Sequence, residues 1–176
     1  SDTDTVAAIA GALLGARWGA SGVPAAWRRV VQGWPGMRAR DLVRLGVLTV
    51  RGGQPDSAGW PTVPVMDYTD WGEVDVLTPH PADPDVLLGG VGPLRELPGG
   101  VDAVVSLCRL GAGEVPAAGV APGDHVEVWL VDRPEPGENP NLDFVVDDAA
   151  RTVEQLRAEG RRVLLHCVQA QSRTPT

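Results

Sequence analysis

Lysine is missing altogether: all 15 basic residues of this 176-residue chain are arginine, set against 23 acidic residues and a net charge of −8. Surfaces that hold nucleic acid or anionic lipid need a surplus of positive charge, so this balance argues against both partners. Long hydrophobic runs are missing too. No stretch approaches the ~18 apolar residues of a bilayer-spanning helix, and no basic segment leads into an apolar one as in a secretory signal. Cysteine is scarce, with Cys108 and Cys167 the only two. Glycine (22) and proline (16) are abundant, which predicts many turns. An arginine-only basic set is a compositional mark of a GC-rich bacterial genome. The chain starts at Ser1 without methionine and stops at Thr176, so it is expected to be a piece of a longer protein.

The most informative stretch runs from Val163 to Thr174. Apolar residues lead into His166-Cys167, then Val168-Gln169-Ala170-Gln171-Ser172, then Arg173 and Thr174. A free thiol is mostly protonated at neutral pH, and its thiolate is the nucleophile. Backbone N–H groups converging in a tight loop, with a guanidinium closing it, favour that anion. The same donors suit the non-bridging oxygens of a phosphoryl group. A buried cysteine packing as a small hydrophobe at a strand end is the plainer alternative.

This pattern resembles the signature of the cysteine-dependent protein tyrosine phosphatases, in particular the compact dual-specificity branch. The resemblance implies catalytic roles for four residues of this stretch. Cys167 is the nucleophile and Arg173 the phosphate clamp. Thr174 bonds the sulfur and eases its departure, and His166 orients the loop and helps lower the thiol pKa. Val168, Gln169, Ala170, Gln171 and Ser172 line the phosphate. Ala170 departs from the family, which usually has glycine there. A nucleophile that must stay reduced implies a cytoplasmic setting.

A phosphate ester also needs an acid for its leaving oxygen. The family places an aspartate about thirty residues before the cysteine, after a strand. Asp132 fits, at the end of a strand and the start of a long loop, although it could instead cap the turn. Asp143 sits at a helix start, and Asp147 and Asp148 read as solvated helix charges.

The opening stretch carries a different signal. Asp2, Asp4 and Thr5 offer hard oxygen ligands of the kind Mg²⁺ takes, ahead of an Ala/Gly-rich helix; simple N-capping is the alternative. Asp-Thr-Asp-Thr-Val-Ala-Ala-Ile-Ala-Gly resembles the second metal motif of the ADP-ribosylglycohydrolases, an all-helical family with a two-magnesium site. By that resemblance Asp2, Asp4 and Thr5 are metal ligands, though the family's other acidic cluster is absent from this chain.

The expected organisation is therefore a helical segment at 1–46, a Gly/Pro-rich linker with edge elements at 47–84, and an α/β phosphatase-like unit at 85–176 that stops just past its phosphate loop. Its central, mostly parallel sheet is flanked by helices. Short helices are expected within 21–46, with Trp18, Trp27 and Trp34 as packing residues, and a short edge strand at Thr62–Met66. Further strands are expected at 86–90, 101–107, 125–131 and 163–166, with a helix over 142–159. The uncharged loop positions and acidic chain favour a phosphoprotein or small phosphomonoester substrate, reached through a phosphocysteine with no metal. Rival readings are a phosphate-binding module without turnover, and magnesium-dependent removal of ADP-ribose from a modified target by the full-length protein.

Overall fold

In the computed structural model, which describes residues 2–175 apart from 134 and 136, the chain opens with helices. The first, α1 (Thr3–Trp18), is capped by Asp2, whose carboxylate accepts from the Thr5 N–H. α2 (Ala25–Val30) follows, then a two-stranded ribbon of β1 (Gln32–Gly33) and β2 (Met37–Arg38), then α3 (Ala39–Val50). Trp18, Trp27 and Trp34 are exposed rather than packed, Trp34 at 93%. For Trp27 the reason is that α2 docks through its polar residues. Arg28 donates to the Glu127 carbonyl (2.6 Å) and pairs with Asp148, and Arg29 pairs with Asp124 (3.0 Å) and Glu159 (2.7 Å).

The second part is a five-stranded sheet. Its strands are β3 (Leu77–His80), β4 (Asp83–Gly89), β5 (Ala103–Ser106), β6 (His125–Glu127) and β7 (Val163–His166), ordered β3-β4-β7-β5-β6. Only the β3–β4 pair is antiparallel; the other pairings are parallel. The fold is thus α/β, with a mostly parallel sheet and flanking helices. The continuous apolar runs of β5 and β7 have both faces covered, as central parallel strands require. On one face Ala103, Val105 and Val163 meet Val145, Ala149 and Leu156 of α4 (Leu142–Ala158). On the other, Val104, Leu87 and Leu164 pack under Ala117 and Val120 of the 107–124 connection. Burying Leu156 or Leu164 completely contributes about 1.5–3 kcal/mol each.

Several elements differ from expectation. Residues 62–66 form no strand; the sheet's edges are β3 and β6. β6 stops at Glu127, although the apolar alternation runs on to Leu130, because the chain leaves the sheet there. Asp148 is no solvated charge: it accepts from the Ala25 N–H (2.9 Å) with its side chain 14% exposed. Asp147 does face solvent, paired with Arg151. Among the described residues no helix is long and apolar enough to cross a membrane.

Candidate functional site

Strand register builds the site. Gly89 of β4 and Ser106 of β5 both stand opposite His166 of β7, so three carboxyl ends finish in one row and the 167–174 loop leaves from its centre. The loop is tied down at once: Cys167 N–H donates to Gly89 O (3.3 Å), and Val168 O accepts from Val91 N–H (2.9 Å). Gly90 permits this approach. A Cβ there would collide with the Val74 and Val168 carbonyls.

Cys167 is 2% exposed. Burial by itself pushes its thiol pKa up, yet the net direction is down. The Thr174 hydroxyl, the Thr174 and Ala170 backbone N–H groups and the Arg173 charge together stabilise the thiolate. With one proton to give, the Thr174 hydroxyl serves either the sulfur or the Gly89 carbonyl 3.4 Å away. Cys108 is the contrast. It is also free and buried, and burial pushes its thiol up to about 12. Only one of the two sulfurs lies in surroundings that favour its anion.

Arg173 closes the loop from beneath. Its Nη1 donates to Leu107 O (2.9 Å) and Leu130 O (3.1 Å), and its Nη2 lies 3.3 Å from Asp132. Its buried Nε–H has no partner among the described residues. A guanidinium 9% exposed, with one donor uncommitted, is prepared for a further acceptor. Asp132 is brought to the loop as well, accepting from Ser172 Oγ at 2.9 and 3.0 Å.

His166 is fully buried and held neutral, its pKa lowered to about 4 by desolvation. It brings no positive charge beside Cys167, and its Nδ1 lies 3.1 Å from the Cys167 carbonyl. Among the five expected phosphate-lining residues, Val168 is different in kind. Its side chain packs with Val74, Val91, Cys108 and Leu110, leaving only its backbone for a ligand. Gln169 donates to the Trp71 carbonyl, and Gln171 and Ser172 are exposed. Ala170 adopts φ 58°, the left-handed conformation that glycine would take without strain.

Beside Arg173 lies a cavity of about 700 Å³, lined by Asp132, Val168, Tyr68, Trp60, Trp71 and Trp129 among others. Cys167 itself does not line it. Sequence reading missed this aromatic wall, whose members come from separate segments. It also missed two buried groups behind the loop, Ser106 and His125; a hydroxyl ending an apolar strand was the one available signal.

The amino-terminal residues stand elsewhere. Both Asp2 carboxylate oxygens are engaged by Thr5, through its N–H (3.1 Å) and its hydroxyl (2.7 Å), on an exposed helix end. Among the described residues no group of three or more His, Cys, Asp or Glu side chains could hold a metal ion. Asp2, Asp4 and Thr5 carry oxygens of the kind magnesium takes but do not by themselves make up a ligand set.

Comparison with known proteins bears on that part of the chain. Residues 1–55 match the family model of the ADP-ribosylglycohydrolases, hydrolases by name. The match does not reach the sheet or the 167–174 loop. No curated protein and no solved structure matches the chain.

Proposed function

We propose that the α/β part of this chain is a cysteine-dependent phosphomonoester hydrolase. The observation that carries this reading is the convergence of donors on one buried sulfur. The Thr174 hydroxyl and the N–H groups of Thr174 and Ala170 reach Cys167, with the Arg173 charge beside them. An arrangement that favours a thiolate also suits a phosphoryl group, and the Nε of Arg173, without a partner among the described residues, supplies a further donor.

In the reaction, Cys167 Sγ attacks phosphorus as the bond to the leaving oxygen breaks. That oxygen takes a proton from Asp132. Water then attacks the phosphocysteine and gives its proton back to Asp132, releasing inorganic phosphate and the thiolate. Because Cys167 is nearly covered, the loop must shift to admit substrate. The aromatic cavity beside Arg173 favours a small aryl phosphomonoester or a phosphoprotein side chain over a polyanionic headgroup.

The second reading rests on the family match. Residues 1–55 would be the helical, magnesium-binding end of an ADP-ribosylglycohydrolase, with Asp2, Asp4 and Thr5 supplying part of the metal site. It and the phosphatase reading are compatible in one protein, and the family match favours the glycohydrolase one alone.

The test is the pH dependence of Cys167 alkylation, beside hydrolysis of p-nitrophenyl phosphate by the wild type and Cys167→Ser. The midpoint rather than the rate is decisive, since limited access slows both protonation states. An alkylation midpoint below that of a free thiol and turnover abolished by the serine variant are expected. An ordinary midpoint, or equal turnover in both proteins, overturns the phosphatase reading.

A further inference from the structure

We infer that Ser106 and His125 are positioning residues for the nucleophile loop, acting through His166 as a hydrogen-bonded wire with a single direction. This rests on the phosphatase reading only for its consequence; the wire itself is geometric.

The two ends determine every proton. At one end the Ala117 N–H lies 2.9 Å from His125 Nδ1 and can only donate, so Nδ1 accepts and the ring proton of His125 sits on Nε2. At the other end the Cys167 carbonyl, 3.1 Å from His166 Nδ1, can only accept, so that nitrogen carries the proton and Nε2 of His166 is bare. Ser106 Oγ stands between them, 2.8 Å from His125 Nε2 and 2.6 Å from His166 Nε2. It accepts from the first ring and donates to the second. No member can reverse without stranding a buried donor or acceptor.

Burial makes that constraint strict. Ser106 and His166 are fully buried and His125 is 6% exposed. Desolvation, together with His166 and Arg40 near His125 and Arg173 near His166, keeps both rings neutral, at about 3 for His125 and about 4 for His166. Among the described residues Cys108 is a further titratable group beside them, its Sγ 4.0 Å from His166 Nδ1. The consequence falls on the first peptide of the loop. A peptide unit is planar, so holding the Cys167 carbonyl toward His166 also fixes the direction of the Val168 N–H. A serine on β5 and a histidine on β6 thereby orient the loop entrance. The dual-specificity resemblance assigns a role to His166 but none to these two.

Imidazole nitrogen NMR on the intact chain tests this without a mutation, because only three histidines are present. His166 should appear as the Nδ1–H tautomer and His125 as the Nε2–H tautomer. Neither should titrate across pH 5–8, where an unperturbed imidazole changes charge. Ser106→Ala, studied well below its melting temperature, should move the Cys167 alkylation midpoint up by roughly half a unit or more. Ser106→Thr, which keeps the hydroxyl, should restore it. An Nε2–H tautomer at His166, titration of either ring near neutrality, or an unmoved midpoint in folded Ser106→Ala overturns the inference. Failure to hydrolyse p-nitrophenyl phosphate would instead count against the phosphatase reading, leaving the tautomers and midpoint as they are.

Discussion

Replacing Arg40 by methionine isolates one of the contacts that join the helical residues to the sheet. Arg40 Nε lies 2.9 Å from Glu127, its side chain 18% exposed and that of the carboxylate 9%. Its Nη1 and Nη2 donate to the carbonyls of Val115 (2.8 Å) and Gly111 (3.0 Å). Removing one partner of a buried pair strands the other charge, which costs about 3–5 kcal/mol. That is a large share of the ~5–15 kcal/mol by which domains are stable, and corresponds to roughly 6–20 °C in melting temperature for a chain of this size. A second change, Glu127→Gln, removes the stranded charge, so the double variant should recover part of the loss. A residue of about 1–3 kcal/mol should remain for the loop carbonyls left without their donor. The pH dependence has a definite sign. Burial raises the Glu127 pKa and Arg40 is the first influence opposing it. A carboxyl raised in the folded state favours folding below its unfolded pKa, and that contribution is lost as pH rises through the folded value. Without Arg40 the folded value climbs further, so the deficit of Arg40→Met should grow between pH 5 and pH 7. Urea unfolding of wild type, single and double variants at both pH values measures all of this. A single variant within 1 kcal/mol of wild type, or a double variant no better than the single, refutes the reasoning.

Ala170→Gly should stabilise the chain by about 1 kcal/mol, because glycine occupies the left-handed region without the steric cost an alanine bears there; calorimetry reads this, and the Cys167 alkylation midpoint should hardly move. Asp132→Asn keeps the shape of the acid but removes its proton. Steady-state kinetics should show a loss of about 10²–10⁴-fold on alkyl phosphates and a much smaller one on p-nitrophenyl phosphate, whose leaving group needs little help. Equal losses on both would show that Asp132 only holds Ser172 and Arg173 in place.

The loop was legible in the sequence because it is local. Cys167, Arg173 and Thr174 lie within eight residues, and the apolar run of β7 announces where the loop starts. The helix α4 was legible from Val153, Ala149 and Leu156 at helical spacing. What stayed hidden has no local signal. β3 contains a proline and is exposed throughout, so nothing marks it as a strand except the antiparallel partner it finds in β4. Ser106, His125 and the aromatic cavity wall are assembled from segments far apart in the chain.

The absence of lysine gains a structural meaning here. Arg28 binds the Val23 and Glu127 carbonyls and pairs with Asp148; Arg29 holds the Gly123 carbonyl with Asp124 and Glu159. Arg40 joins Glu127 to loop carbonyls, Arg157 links Asp83 to the Arg161 carbonyl, and Arg173 spans Leu107, Leu130 and Asp132. Each side chain satisfies carbonyl oxygen and carboxylate together, which needs several donors in a fixed plane. A lysine ammonium is a compact, strongly hydrated charge on a flexible stem and cannot reproduce that geometry. Arginine to lysine at these positions is therefore a disruptive change, and it is through such forks that α2, α3 and the 167–174 loop are tied to the sheet and its connections.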